Sequence, residues 1–482
     1  MKLSRGIAFL VLFFLFSPFL ILVWKFPLHA TFDFSEFIWA LKNTMIQSTL
    51  SAIGSLLLGT WAALGLIGRG PTFKKILEVI CLAPNFLPPL FTLLVVFYWV
   101  DPFPTGTLGI GLIHSIVNFG LVAVSLSRAI ETKLGGMAEL AATEGCTKFI
   151  FFKKVFFPIL KKDYLEIFLF VFSVCFVSFS IPLIVGGGKG TTLEVLIYEK
   201  IRLSMDWGSA VLISIIQLMI LAFLARCLMR FKSHSRGDSH HMRWLSLKSG
   251  AGVIIIFAGL YIIGYLDSVI SGTSSMIHFL DWKDGLIKGS LGTLFMGFMT
   301  GILILLILIL ITLSMGFSWL RKGLQSYLAP STTLTGFAFL VLGPNDGILS
   351  YIKIPMALAL LFIGTLYRLG WESEVQRLED QINNAEVMGA SPWQSFQFVL
   401  WPQVQQKALM LSGLAAAWAC GDYGLSRILA YNDMTLALMT ETLMSTYRLG
   451  LASLLSVGVL LCAVFCFFTF WGFGYVYRRK SS

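Results

Sequence analysis

The sequence predicts an all-α polytopic membrane protein with about 12 transmembrane helices in two parallel six-helix repeats. Composition, spacing and self-similarity carry that prediction. Hydrophobic residues make up 57% of the 482 positions, charged residues only 13%, and mean hydropathy is +0.82, too apolar for a chain solvated by water. Apolar runs long enough to cross a bilayer recur along the whole length, and the second half repeats landmarks of the first.

The expected spans are 7–24, 45–68, 79–100, 107–127, 164–186, 209–225, 249–266, 290–314, 325–343, 351–370, 408–424 and 452–476. Lys2 and Arg5 precede the first run as in a signal peptide, but no small-residue cleavage site follows, so it reads as a retained anchor. With the N-terminus in the cytoplasm, about 26 of the 36 Lys and Arg fall inside and about 10 outside, which places both termini inside. The net charge of +11 therefore sits in membrane-flanking loops and requires no nucleic-acid partner.

Leu82-Ala83-Pro84 recurs as Leu328-Ala329-Pro330, and Lys42-Asn43-Thr44 as Lys288-Gly289-Ser290, each 246 positions later. Thr192-Leu193 recurs as Thr435-Leu436. Six spans per repeat is an even number, so both copies cross the membrane in the same sense. The repeats are expected at 1–232 and 248–482, joined by a polar cytoplasmic linker at 233–247.

One short pattern occurs in both halves. Glu139, Ala141, Ala142 and Gly145 are followed by Pro158; Asn383, Ala385 and Gly389 are followed by Pro402 at the same spacing. Small residues allow close approach, glycine permits a sharp change of direction and proline suits the opening of a helix. The pattern reads as two short helices meeting at a glycine, a docking element on the water side of a membrane machine.

Other motifs point elsewhere less well. Gly186 to Thr192 resembles a phosphate loop, but Leu183 stands where its first glycine belongs and Gly190 where Ser or Thr is needed. The seven cysteines form no CxxC, His234, His240 and His241 lie in the linker, and no metal or cofactor site is expected. Gly297 and Gly301 allow close helix packing. His114 and Asn118, one turn apart in the fourth span, and Asp422 near the outer end of the eleventh are polar at membrane depth. They are candidates for a solute path, with helix-end or gate roles as the alternative for Asp422 and ordinary packing for the other two.

On the duplicated loop the chain resembles the membrane permeases of binding-protein-dependent ABC importers, whose signature is Glu-Ala-Ala, three residues, Gly and a distant Pro. Cys175-Phe176-Val177-Ser178-Phe179, Gly186-Gly187-Gly188, Thr191 to Val195 with Ile197-Tyr198, and Gly421-Asp422-Tyr423-Gly424 are similar to segments of the fused thiamine permeases and their iron(III) relatives. The resemblance implies a non-enzymatic subunit of the bacterial inner membrane. It would form the solute pathway, take solute from a periplasmic binding protein and be driven by two cytoplasmic ATPase subunits gripping the loops. It adds Ser178, Tyr198 and Tyr423 to the candidate path. Leu140, Asn383 and Asn384 depart from the loop signature, and Ala437 and Glu441 from the thiamine pattern. A twelve-span secondary transporter would explain the repeat but not the loop, and a polytopic membrane enzyme would need longer exterior loops.

Overall fold

The computed structural model describes residues 2–26, 33–231, 244–274, 283–314, 320, 324, 331–342, 348–429 and 435–481. Most of the expected linker, at 233–243, and the Leu328-Ala329-Pro330 landmark lie outside them. The described residues are helical and contain no strand. Among the described residues six helices are long and apolar enough to cross a membrane, and a bent pair would make a seventh, against twelve expected. Several expected spans are broken or carry polar turns, and part of the one expected at 325–343 lies outside the described residues.

The first half runs α1 (Lys2–Lys25), α2 (Phe34–Leu66), α3 (Pro71–Phe86), α4 (Pro89–Trp99), α5 (Thr107–Thr143), α6 (Lys148–Phe151), α7 (Phe157–Phe176), α8 (Ser180–Val185), α9 (Leu193–Arg202) and α10 (Trp207–Phe231). The second runs α11 (Lys248–Thr273), α12 (Lys283–Leu313), α13 (Thr332–Val341), α14 (Ile348–Leu366), α15 (Glu372–Val387), α16 (Pro392–Gln394), α17 (Trp401–Cys420), α18 (Gly424–Leu429), α19 (Leu436–Ser445) and α20 (Leu449–Ser481).

The span expected at 79–100 is two helices, α3 and α4, bent by 97°. Pro88 and Pro89 explain the break: a residue before proline is pushed out of the helical region, and Leu87 has ψ 146°. The span expected at 164–186 likewise breaks after Phe176 and resumes as α8. α7 and α17 carry Lys161-Lys162-Asp163 and Gln405-Gln406-Lys407 in their second turns, which keeps their apolar stretches short.

The helices gather into two compact units. One holds 34–193 and 223–271; the other holds 1–33, 194–222 and 272–482. Neither unit follows the order of the repeats, since α11 lies in the unit of α2 to α8, and α1 in the unit of α12 to α20. In the first unit α2 and α3 pack along α5 so closely that a Cβ at Gly120 would lie 1.6 Å from the Cys81 carbonyl oxygen. α11 is fastened there by polar pegs: Thr92 and Tyr261 hydroxyls 3.1 Å apart, and Trp61 Nε1 donating to Ser249 Oγ at 3.2 Å. In the second unit a buried apolar core runs from Leu15 of α1 through Ile304, Leu358 and Leu411.

Candidate functional site

The two loops fold alike, and the backbone shows why the signature has its spacing. α5 ends at Thr143, and Gly145 turns the chain with φ 70°. The amide of Cys146 then donates back to Ala141 O at 2.9 Å, and that of Gly145 to Ala142 O at 3.3 Å. This is a left-handed helix C-cap, in which the glycine comes four residues after the carbonyl that closes the turn. The second loop repeats it: α15 ends at Val387, Gly389 has φ 90°, and Ala390 N donates to Ala385 O at 3.0 Å. Ala141–Gly145 and Ala385–Gly389 are thus the two ends of one hydrogen-bonded turn.

Beyond the glycine a second helix begins. At Ser391 a reciprocal cap forms, with Gln394 N donating to Ser391 Oγ at 3.3 Å and Ser391 N donating to Gln394 Oε1 at 2.9 Å. Pro158 and Pro402 take the second position of α7 and α17, the helix-opening place expected from sequence, although each of those helices runs on directly from the turn before it. Each follows a π-helical turn, Phe152–Phe156 or Ser395–Leu400, whose wider winding leaves room for a ring that lacks an N–H and crowds the preceding turn. The first limb is also longer than expected, because α5 runs 37 residues straight into the turn. Each knuckle presents bare apolar side chains: Leu140 is 63% and Phe149 77% exposed, Val387 and Met388 both 88%. Glu139 and Glu144 are exposed beside the first pair. The side chain of Asn383 lies outside the described residues.

Three of the path candidates meet in the first unit. His114 Nδ1 lies 3.2 Å from Gln47 Oε1, and its Nε2 lies 3.0 Å from Ser178 Oγ. The Gln47 amide donates to Cys175 O at 2.8 Å and to Ser48 Oγ at 2.9 Å. Asn118 Nδ2 donates to His114 O at 2.9 Å, and Asn85 Nδ2 reaches Asn118 Oδ1 at 3.4 Å. A neutral imidazole donating from Nδ1 and accepting at Nε2 satisfies both neighbours of His114. The cluster stands where two helices break, beside Asn85 at the end of α3 and Cys175 at the end of α7. The Gln47 amide adds a side-chain donor to the Cys175 carbonyl at the break of α7, which also accepts from Ser178 N at 3.3 Å. Gln47, Ser48 and Asn85 were missed from sequence, although a glutamine in an apolar span is the kind of signal that could have flagged Gln47.

The other candidates belong to the second unit. Asp422 follows α17 and accepts from Ser426 N at 3.0 Å, Ser426 Oγ at 3.1 Å and Leu425 N at 3.4 Å, so its carboxylate holds the first turn of α18. Tyr423 beside it is buried, and the ring of Tyr198 on α9 lies 6.3 Å from Phe337. A buried carboxylate that sequence reasoning did not single out is Glu194. It accepts from Gln217 Nε2 at 2.7 Å, Thr333 N at 3.1 Å and Thr333 Oγ1 at 2.5 Å, tying α9 to α10 and α13. Among the described residues no group of three or more His, Cys, Asp or Glu is placed to hold a metal ion.

Among known families, residues 55–234 match the one described as a binding-protein-dependent transport system inner membrane component. That stretch contains the first knuckle and stops before the second. The thiamine transport system permease protein ThiP of Haemophilus influenzae is 25% identical over 66% of this chain and 63% of its own length. ThiP of Escherichia coli is 32% identical over 24% of this chain and 22% of its own length. ThiP of Brucella suis is 24% identical over 89% of this chain and 87% of its own length. The matches span less than two thirds of the first two relatives. No solved structure matches.

Proposed function

From the match of residues 55–234 to the binding-protein-dependent transport system inner membrane components, we propose that the chain is the permease subunit of an ABC importer. In this reading 1–232 and 248–482 are two repeats around a solute pathway, and each presents one knuckle to a cytoplasmic ATPase subunit. A periplasmic binding protein delivers the solute. Both termini face the cytoplasm, and ATP hydrolysis belongs to the partner chains. The solute is thiamine, as the names of the relatives suggest; the iron(III) alternative rests on the resemblance alone.

The observation that carries the proposal is the pair of glycine-capped knuckles, Gly145 and Gly389, 244 positions apart and each bearing exposed apolar side chains. Bare leucine, phenylalanine, valine and methionine on a rigid turn suit a partner's groove better than water. In operation, closure of the ATPase pair would move the knuckles and, through them, the helices on which they sit.

Glu139, Ala141, Ala142, Gly145 and Pro158, with Asn383, Ala385, Gly389 and Pro402, are the proposed coupling residues. His114, Asn118, Ser178, Tyr198, Asp422 and Tyr423 are retained as path or gate residues. The bonds of Asp422 favour the gate-stabilising role, and the closed hydrogen bonding around His114 favours a positioning role. The test is purification with candidate ATPases, cross-linking from Leu140→Cys and Met388→Cys, and uptake of radiolabelled thiamine. Uptake that runs on an ion gradient, with no ATPase cross-linked at either knuckle, would refute the reading.

A further inference from the structure

The two knuckles are mounted differently. In the first unit Lys133, ten residues before the end of α5, donates to both carboxylate oxygens of Asp163 on α7, each at 2.7 Å. α5 enters the knuckle and α7 leaves it, so this pair joins the two limbs behind the turn. Asp163 is 7% exposed, and both of its carboxylate oxygens converge on one ammonium, which defines its position closely. Two residues before Lys133, Glu131 is held by Lys74 of α3 at 2.5 Å, and Lys74 also lies 4.0 Å from Glu78. The limb entering the knuckle is therefore tied on both sides, and α5 has no break between the bundle and the turn.

At the offset that relates Gly145 to Gly389, the positions of Lys133 and Asp163 are taken by Arg377 and Lys407. Two cations cannot make the pair. Arg377 bonds Glu374 on its own helix at 3.1 Å instead. Among the described residues the limbs of the second knuckle are joined by a neutral contact, Gln403 Nε2 donating to Gln381 Oε1 at 2.8 Å between exposed side chains. The limb entering it is also interrupted, since Gly370 between α14 and α15 has φ 140°.

We propose that the Lys133–Asp163 pair is a positioning strut that makes the first knuckle a rigid lever, so that force from the ATPase reaches the bundle chiefly through the first half, while the second knuckle docks compliantly. This inference rests on the importer reading. A partly buried ion pair resists separation because removing one partner leaves the other charge in a poor solvent. The amide pair of the second knuckle is open to water, which replaces it at little cost.

The test uses the whole importer, permease with its bound ATPase, in proteoliposomes with radiolabelled thiamine as probe. Asp163→Asn is expected to lower uptake per ATP hydrolysed about fivefold, while cross-linking of the ATPase at Leu140→Cys persists. The reversed pair, Lys133→Asp with Asp163→Lys, is expected to restore the ratio, and Gln403→Ala to leave it unchanged. A readout independent of solute is hydrogen exchange over 177–190 with and without ATP and vanadate. The nucleotide-dependent difference shrinks in Asp163→Asn and returns in the reversed pair. Full coupling in Asp163→Asn, or a reversed pair as poor as the single variant, overturns the strut. A wild-type permease that holds no ATPase overturns the importer reading itself, and the strut with it, a result visible before any variant is made.

Discussion

Replacing Gly145 tests the knuckle without disturbing its neighbours. A Cβ built on Gly145 meets nothing within 4 Å, so added bulk has room. What resists is the backbone: φ is 70°, and a residue with a Cβ pays about 1–2 kcal/mol to hold the left-handed region. Because 1.4 kcal/mol is tenfold in an equilibrium, Gly145→Ala should reduce the population of the formed turn by about fivefold to thirtyfold. Gly145→Val should fall at the severe end, since a β-branched side chain is a poor occupant of that region. Asparagine tolerates the conformation best among residues with a Cβ, so Gly145→Asn should rank between glycine and alanine. The assay is ATPase cross-linking from Leu140→Cys together with uptake per ATP hydrolysed, each normalised to folded permease. The expected order is Gly, Asn, Ala, Val. If Gly145→Val couples as well as wild type, or if Asn and Val are equally damaging, the turn conformation is not what the motor grips.

Gly120→Ala should lower the thermal stability of the purified protein in detergent, because its Cβ would lie 1.6 Å from the Cys81 carbonyl; overpacking of this kind costs about 1–3 kcal/mol. Gly136→Ala on the same helix meets nothing and should leave the melting temperature unchanged or raised, so equal losses in both would discredit the close approach of α3 to α5. Asp422→Ala removes the acceptor for the first turn of α18, at about 1 kcal/mol, whereas Asp422→Asn keeps an oxygen there. Thiamine uptake retained in Asn and weakened in Ala supports the capping role; equal loss in both would mean that the charge itself acts on a cationic solute. His114→Leu strands Gln47 Oε1 and Ser178 Oγ and should destabilise by about 1–3 kcal/mol, read as a lowered melting temperature.

The knuckles were largely legible in the chain because each is a local device. Its cap depends on a glycine four residues beyond a small helical residue, so Ala141 with Gly145, and Ala385 with Gly389, announce themselves by spacing alone. Pro158 and Pro402 were equally visible as helix-opening residues, but the π-helical turn before each was not. Whether a π turn precedes such a proline depends on how the preceding residues pack, as Phe156 does in its buried position. The path candidates fared unevenly for a related reason. His114 and Asn118 were visible as polar residues in an apolar run, while Gln47 acquires meaning only when α2 lies against α5 and beside the broken end of α7.

Composition and periodicity by themselves determined that this chain is helical and dissolved in lipid, that it carries the same turn twice, and where those turns lie, since each of these follows from solvation or from bonds within a few residues. Only the tertiary structure decided that α11 sits with the helices of the first half and that Lys133 meets Asp163. Those are encounters between residues from 30 to 188 positions apart. Their partners are selected by packing, and nothing in the local sequence distinguishes a carboxylate that will find a lysine from one that will cap a turn.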